Sequence, residues 1–169
     1  MHRTAILSDC GTFRYRLGRE WAAGPVLLFV MLNPSTADHL VDDRTVLKCI
    51  GFAQAHGYGA LEVVNLFAYR TPSPRDLRKA GYPLGPQNDF HIKLAVANTA
   101  AVCCAWGAAG AETKRPADVL NLLRDLGAEP QYLRLTKSGH PEHPLYLPGA
   151  LRMKPLTLQA IDDAMHGSR

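Results

Sequence analysis

The chain has 169 residues, of which 47% are hydrophobic and 20% charged, with a formal net charge of +4. That length suits one domain over residues 1–169, and that balance excludes a disordered or fibrous chain. No apolar run approaches the ~20 residues of a membrane helix, and Met1-His2-Arg3-Thr4 leads into no signal-peptide core, so no membrane contact is expected; cysteines at 10, 49, 103 and 104 with no CxxC pair suit thiols in a reducing cytoplasm, and a monomer is expected.

Residues 4–8 and 12–17 read as a hairpin around the turn-like Asp9-Cys10-Gly11. Val26–Leu32 is apolar, branched and uncharged, the pattern of a buried strand. Arg44–His56 places Val46, Leu47, Ile50, Phe52 and Ala53 at helical spacing, and Gly57 ends it. Ala60–Phe67 is a second buried strand. The stretch 70–86 is rich in proline and glycine and reads as a long loop with one helical turn at 74–79. A helix follows over Asn88–Asn98, then a third apolar strand over Ala100–Ala105 that stops at Trp106-Gly107. Residues 116–126 start with proline and end at Gly127, as helices do. Gln131–Leu135 is a fourth strand, and Leu156–Met165 a terminal helix. Strand–helix alternation of this kind predicts an α/β three-layer sandwich: a mainly parallel four-stranded sheet flanked by helices, plus the N-terminal β-hairpin.

The strands end in unusual residues. "FVMLNPSTAD" passes from core strand to Asn33-Pro34-Ser35 and on to Asp38, and "EVVNLF" buries the amide of Asn65. Ligands of open α/β sheets bind outside the carboxyl ends of the strands, so these endings should converge on one crevice with Trp106 and the loop from Lys137 to His143. Each residue also has a plainer role. Ser35, Thr36 and Asp38 suit a turn or cap, and Asp42 and Asp43 suit the positive end of the helix at Arg44. Asn65 suits a base edge, since it offers a donor and an acceptor, or a structural hydrogen bond. Phe67 could stack on a ring or belong to the core. His140 and His143, each followed by proline in "GHPEHPLY", could hydrogen-bond to developing charge. They have no third ligand nearby for zinc, and the four cysteines form no CxxC pair, so no metal site and no disulfide framework is expected. Neither GxGxxG nor a P-loop is present, and Ser35 has no GxSxG elbow, so no cofactor is expected. A sequence pI of about 9.0 favours an anionic partner.

Taken together, "LNPSTAD", "DDRT", "VVNLFAYR", "AWG" and "KSGHPEHPLY" over residues 31–147 resemble a domain-of-unknown-function family of bacteria and phage. A more distant likeness is to the uracil-DNA glycosylase superfamily. "MLNPS" resembles its first motif, with Leu32 in place of a small residue. "VVNLF" is similar to the strand whose asparagine reads the base, "VCCAWG" to a strand running into Trp-Gly, and "HPEHPL" to its final His-Pro motif. Two departures stand out: the classical water-activating aspartate is Asn33 here, and the last motif has two His-Pro pairs with no serine between them.

The resemblance implies a glycosylase-like hydrolase that cleaves the N-glycosidic bond of a uracil-like or damaged base flipped from DNA, without cofactor or metal. In it Asn33 positions water, with Pro34 and Ser35 beside it, and Asp38, Asp42 or Asp43 supplies negative charge. Asn65 pairs with the base, Phe67 stacks on it, and Trp106 also contacts the substrate. His143, or His140, bonds to the departing base, Leu145 wedges into the duplex, and Arg70, Arg75 and Lys137 meet phosphate. The alternatives are a nucleotide, modified-base or nucleic-acid binding module of the same fold, and a hydrolase of a free nucleoside.

Overall fold

The computed structural model describes residues 1–110 and 112–166. In chain order its elements are β1 (His2–Leu7), β2 (Arg14–Glu20), β3 (Val26–Met31), α1 (Arg44–Ala55), β4 (Ala60–Asn65), α2 (Pro74–Lys79), α3 (Asn88–Ala97), β5 (Ala101–Cys104), α4 (Arg115–Asp125), β6 (Pro130–Tyr132), β7 (Lys154–Pro155) and α5 (Leu158–His166). A 3-10 turn at Pro144–Tyr146 precedes β7. No helix among the described residues is long and apolar enough to cross a membrane.

All seven strands join one sheet in the order β1-β2-β4-β3-β5-β6-β7. The expectation of a mainly parallel four-stranded sheet is corrected here. The pairings β4–β3, β3–β5 and β5–β6 are parallel, while β1–β2, β2–β4 and β6–β7 are antiparallel. The hairpin is no appendage, because Leu17 to Glu20 pair with Val63 to Ala60 and extend the sheet beyond β4. Sequence missed this because the partner of a half-exposed strand is chosen by long-range packing, not by its own pattern.

Why β3 sits at the centre follows from its composition. All six residues are apolar, and both faces are buried. Leu27, Phe29 and Met31 enter one core with α1 residues Val46, Cys49, Ile50, Phe52 and Ala53. Leu28, Val30 and Leu32 enter a second core with Leu77 of α2, Ile92 and Ala95 of α3, and Val119 and Leu123 of α4. Period-two alternation thus feeds two cores, with helices on both faces of the sheet. Asp43 caps α1 by accepting from Val46 N at 2.8 Å, which orients the first turn of α1 toward the carboxyl ends of β3 and β4.

One irregularity bears on the site. The β1–β2 register jumps from Ile6–Arg16 to Leu7–Arg14, so Tyr15 is an extra residue in β2. Such a bulge re-aims the side chains beside it. Arg16 pairs with Glu62 on the face away from α1, and Tyr15 stacks on His91 of α3 with ring centroids 4.8 Å apart. Regular alternation would send Arg14 to that same face; the bulge turns it to the other.

Candidate functional site

A cleft of about 470 Å³ opens at the carboxyl ends of β3 and β4, on the face covered by α1. It is lined by Met31, Leu32, Val63 and Asn65, by Arg14, Asn33, Ser35 and Thr71, and by Asp43 to Val46, His143, Leu145 and Tyr146. Six residues singled out from sequence therefore meet here: Asn33, Ser35, Asp43, Asn65, His143 and Leu145.

Asn65 ends β4 and is 1% exposed. Its Nδ2 has no partner in the fold, which is costly for a buried amide unless ordered water or a ligand completes it. Its backbone is held firmly. Asn88 Nδ2 donates to the carbonyls of Asn65 and Leu66 at 3.0 and 3.1 Å, and Arg115 Nε donates to Leu66 O at 2.7 Å. Arg115 is in turn paired with Asp89. The residue is thus fixed by structure on its main chain and left open on its side chain.

Asn33, the second residue of "LNPSTAD", has a structural role. Its Nδ2 donates to the carbonyls of Pro34, Tyr69 and Thr71 at 3.1, 3.3 and 2.9 Å. It ties the loop after β3 to the loop after β4, and only its Oδ1 remains for a ligand or water. Pro34 is buried, and its carbonyl accepts from Thr71 N at 2.9 Å, so its role is to hold that seam rather than to line the cleft.

The three aspartates separate. Asp38 caps its own turn, accepting from Leu40 N and Val41 N at 2.7 and 3.0 Å, and those bonds hold its carboxyl below the ordinary value. Asp42 accepts from buried Arg19 Nε at 2.6 Å and from Arg3 at 3.2 Å. Neither lines the cleft, so the expectation that either acts there is corrected: short loop carboxylates went to the nearest unpaired amides and guanidinium. Asp43 alone combines a cap with a place in the cleft wall.

His143 is carried on a braced loop. Gly107 N donates to Pro141 O at 2.7 Å, and Gly107, with φ +74°, lies against the His143 Cβ. Arg134 grips Glu142 through two bonds of 2.7 and 2.9 Å. His143 Nδ1 accepts from Leu145 N at 3.3 Å, so the neutral ring carries its proton on Nε2. Burial pushes its pKa below the ordinary 6.5, against the opposing pull of the Asp43 charge. At neutral pH it is an uncharged donor.

The remaining sequence candidates lie elsewhere. Phe67 is buried in the second core and packs on Tyr82 with centroids 5.1 Å apart. Trp106 is 2% exposed in the same core, on the sheet face opposite the cleft. Strand parity explains it: Cys103 and Ala105 face α1, so Cys104 and Trp106 face away. His140 is outside the cleft lining, and its backbone closes the turn with Thr136, accepting at 2.8 Å and donating to its hydroxyl at 3.1 Å. Lys137 is exposed on that turn and away from the lining. Tyr146, at the mouth and 81% exposed, is the aromatic side chain that borders the cleft. Sequence reasoning passed over it, and over Arg14, Arg44, Thr45 and Thr71. The run "PLY" directly after the histidine was the one available signal for Tyr146.

The lowered histidine pKa values carry a stability consequence. His91, His140 and His143 are all depressed, chiefly by burial. An unfolded histidine titrates near 6.5, so between that value and the lower folded ones the unfolded chain binds more protons, and stability rises with pH. Their contribution is whole above about pH 6.5 and is lost as pH falls through the folded values. The melting temperature should decline from about pH 6.5 toward 5, before most carboxylates titrate. His143→Gln should soften that decline; an unchanged acid limb would show that burial of His143 is not its source.

An α/β domain with a cleft at the carboxyl ends of its central strands, floored by an unpaired amide and walled by an aspartate and a neutral histidine, is the class defined by this geometry. The chain matches, over residues 14–145, the family described as "Protein of unknown function (DUF1643)", and it belongs to that family. No curated protein and no solved structure shows a significant match to it.

Proposed function

We propose that the cleft binds a nucleobase and hydrolyses its N-glycosidic bond. The observation that carries this reading is the unpaired, buried Asn65 amide on the floor of a cleft that also holds Asp43 and His143. The amide pairs with the edge of a planar heterocycle and Tyr146 covers its face. Water, held by Asn33 Oδ1 and by Asp43, attacks the anomeric carbon. The C1′–N bond breaks with its electron pair leaving on the base, and Asp43 takes the proton from water. His143 Nε2–H donates to the base carbonyl as negative charge develops there. The resemblance to uracil-DNA glycosylases points the same way, and a base in DNA would reach the cleft only after extrusion from the stack.

A second reading, binding without cleavage, draws on one observation: one Asp43 oxygen is already committed to Val46 N, which weakens it as a base. The deciding experiment is incubation with single- and double-stranded oligonucleotides carrying uracil, hypoxanthine, xanthine or hydroxymethyluracil, and with the free nucleosides, followed by assay of released base. Release from any substrate supports hydrolysis. Binding with no release from the whole panel would put the binding module in its place.

Asn65→Asp tests the base contact in either reading. A donor becomes a charged acceptor, which repels a carbonyl edge, so the preferred base should lose at least about tenfold in affinity or rate. A variant with unchanged base preference would mean that Asn65 faces no base. For DNA, exposed Arg75 and Lys137 are the phosphate contacts proposed, and affinity should then fall steeply between low and physiological salt.

A further inference from the structure

We infer that the cleft contains a phosphate subsite between Arg14 and the first turn of α1. Arg14 is 3% exposed and lines the cleft, yet no carboxylate pairs with it among the described residues. Among the described residues its guanidinium makes one hydrogen bond, from Nη1 to Ala37 O at 2.7 Å, and Nε has no partner. A buried guanidinium is normally matched by an ion pair, as Arg19 is matched by Asp42 in the same sheet. The β-bulge at Tyr15 is what turns Arg14 into the cleft instead of toward α3.

The start of a twelve-residue helix lines the same cleft as Arg14. Asp43 satisfies the Val46 amide, and its carbonyl takes Leu47 N, which leaves the amides of Arg44 and Thr45 without intrahelical acceptors. Both residues line the cleft. A planar guanidinium and free helix N–H groups lining one cleft are suited to an anion. Hydroxyls of Ser35, Thr45 and Thr71 also border the space. Donors from several directions suit a tetrahedral group with three acceptor oxygens better than a planar carboxylate with two. The carboxylates of Asp43 and nearby Asp38 oppose an anion, but the charges of Arg14, Arg44 and nearby Arg70 outnumber them.

The subsite stands without the glycosidic reading. That its phosphate belongs to a nucleotide rests on that reading, with the base on Asn65 and the phosphate on Arg14, side chains of adjacent strands in one cleft. The class of ligand is then a nucleoside monophosphate or the phosphate beside an extruded nucleotide.

Calorimetric titration with inorganic phosphate on the full chain tests the subsite, with sodium acetate as control. Phosphate should bind and acetate should not. Arg14→Gln should weaken phosphate at least tenfold, and Arg14→Lys should restore only part of the loss. Circular dichroism checks that these variants fold. Should they not, Arg44→Pro against Arg44→Ala decides. Asp43 already has the extended backbone that must precede a proline, so the proline variant removes one helix N–H while both lose the arginine charge. Arg44→Pro should bind phosphate several-fold more weakly than Arg44→Ala. Equal binding by those two, or phosphate affinity unchanged in a folded Arg14→Gln, overturns the subsite. Titration with uridine and uridine monophosphate separates the two ideas. A monophosphate bound at least tenfold more tightly than the nucleoside, with the advantage lost in Arg14→Gln, supports both. Phosphate that binds through Arg14 without any gain from the base keeps the subsite and sinks the nucleobase reading. A base that binds with no gain from phosphate overturns the subsite alone.

Discussion

His143→Ala should lower the rate of base release roughly a hundredfold or more while changing substrate affinity little. The neutral ring presents Nε2–H because Nδ1 is occupied by Leu145 N, and a donor fixed in that tautomer gains most when charge develops on the leaving base. Loss of one such preorganised donor costs about 3 kcal/mol in the transition state. Single-turnover kinetics beside equilibrium binding read the two effects separately. His140→Ala should leave the rate near wild type, since its ring is outside the cleft and its backbone does the structural work. Should His140→Ala cripple turnover and His143→Ala spare it, the donor to the leaving base is His140 and not His143. Should neither matter on a good substrate, the leaving group is stabilised elsewhere and the mechanism fails. The rate should also hold steady as pH drops through 6.5, because burial keeps His143 uncharged below the ordinary histidine value.

Asp42→Ala should be the most damaging change to stability outside the apolar core. Arg19 has a fully enclosed side chain, and Asp42 is its carboxylate partner at 2.6 Å. Its other nitrogens donate to carbonyls of Gly18, Thr4, Asp38 and Val41, so one guanidinium pins the whole 38–42 loop to β2. Removing the carboxylate leaves a buried charge uncompensated, at a cost of about 3–5 kcal/mol. Chemical denaturation measures it, and the double change Arg19→Met with Asp42→Leu should recover most of the loss, because a buried pair replaced by apolar groups is often neutral. A loss under 1 kcal/mol, well below the range for a broken buried pair, would show that the pair is solvated. The loop also leads into Asp43, so a milder variant, Asp42→Asn, should reduce cleft binding in parallel with stability.

Much of this protein was written in local sequence. Val26–Met31, Ala60–Asn65 and Ala101–Cys104 are apolar runs too short for helices and bounded by polar or turn residues, and they are the central strands. Arg44–Ala55 and Asn88–Ala97 follow their helical spacing. Asn65 was visible because a buried amide needs a partner, and His143 because a histidine loop followed a strand of the same sheet. Strand order was not visible: whether β2 joins β4, and whether β7 closes the far edge, depends on packing between segments distant in sequence. Nor could sequence separate Asp38, Asp42 and Asp43, three similar carboxylates within six positions, since their fates turn on which amide or guanidinium lies within reach after folding. Phe67 and Trp106 were placed at the site by nearness to strand ends, yet the chain's turn after Asn65 and the alternation of β5 send both to the opposite face. Arg14 was the least legible. One inserted residue in β2 reverses the direction of its side chain, and no periodicity in "FRYRLGRE" announces an insertion; only the register of β1 against β2 reveals it.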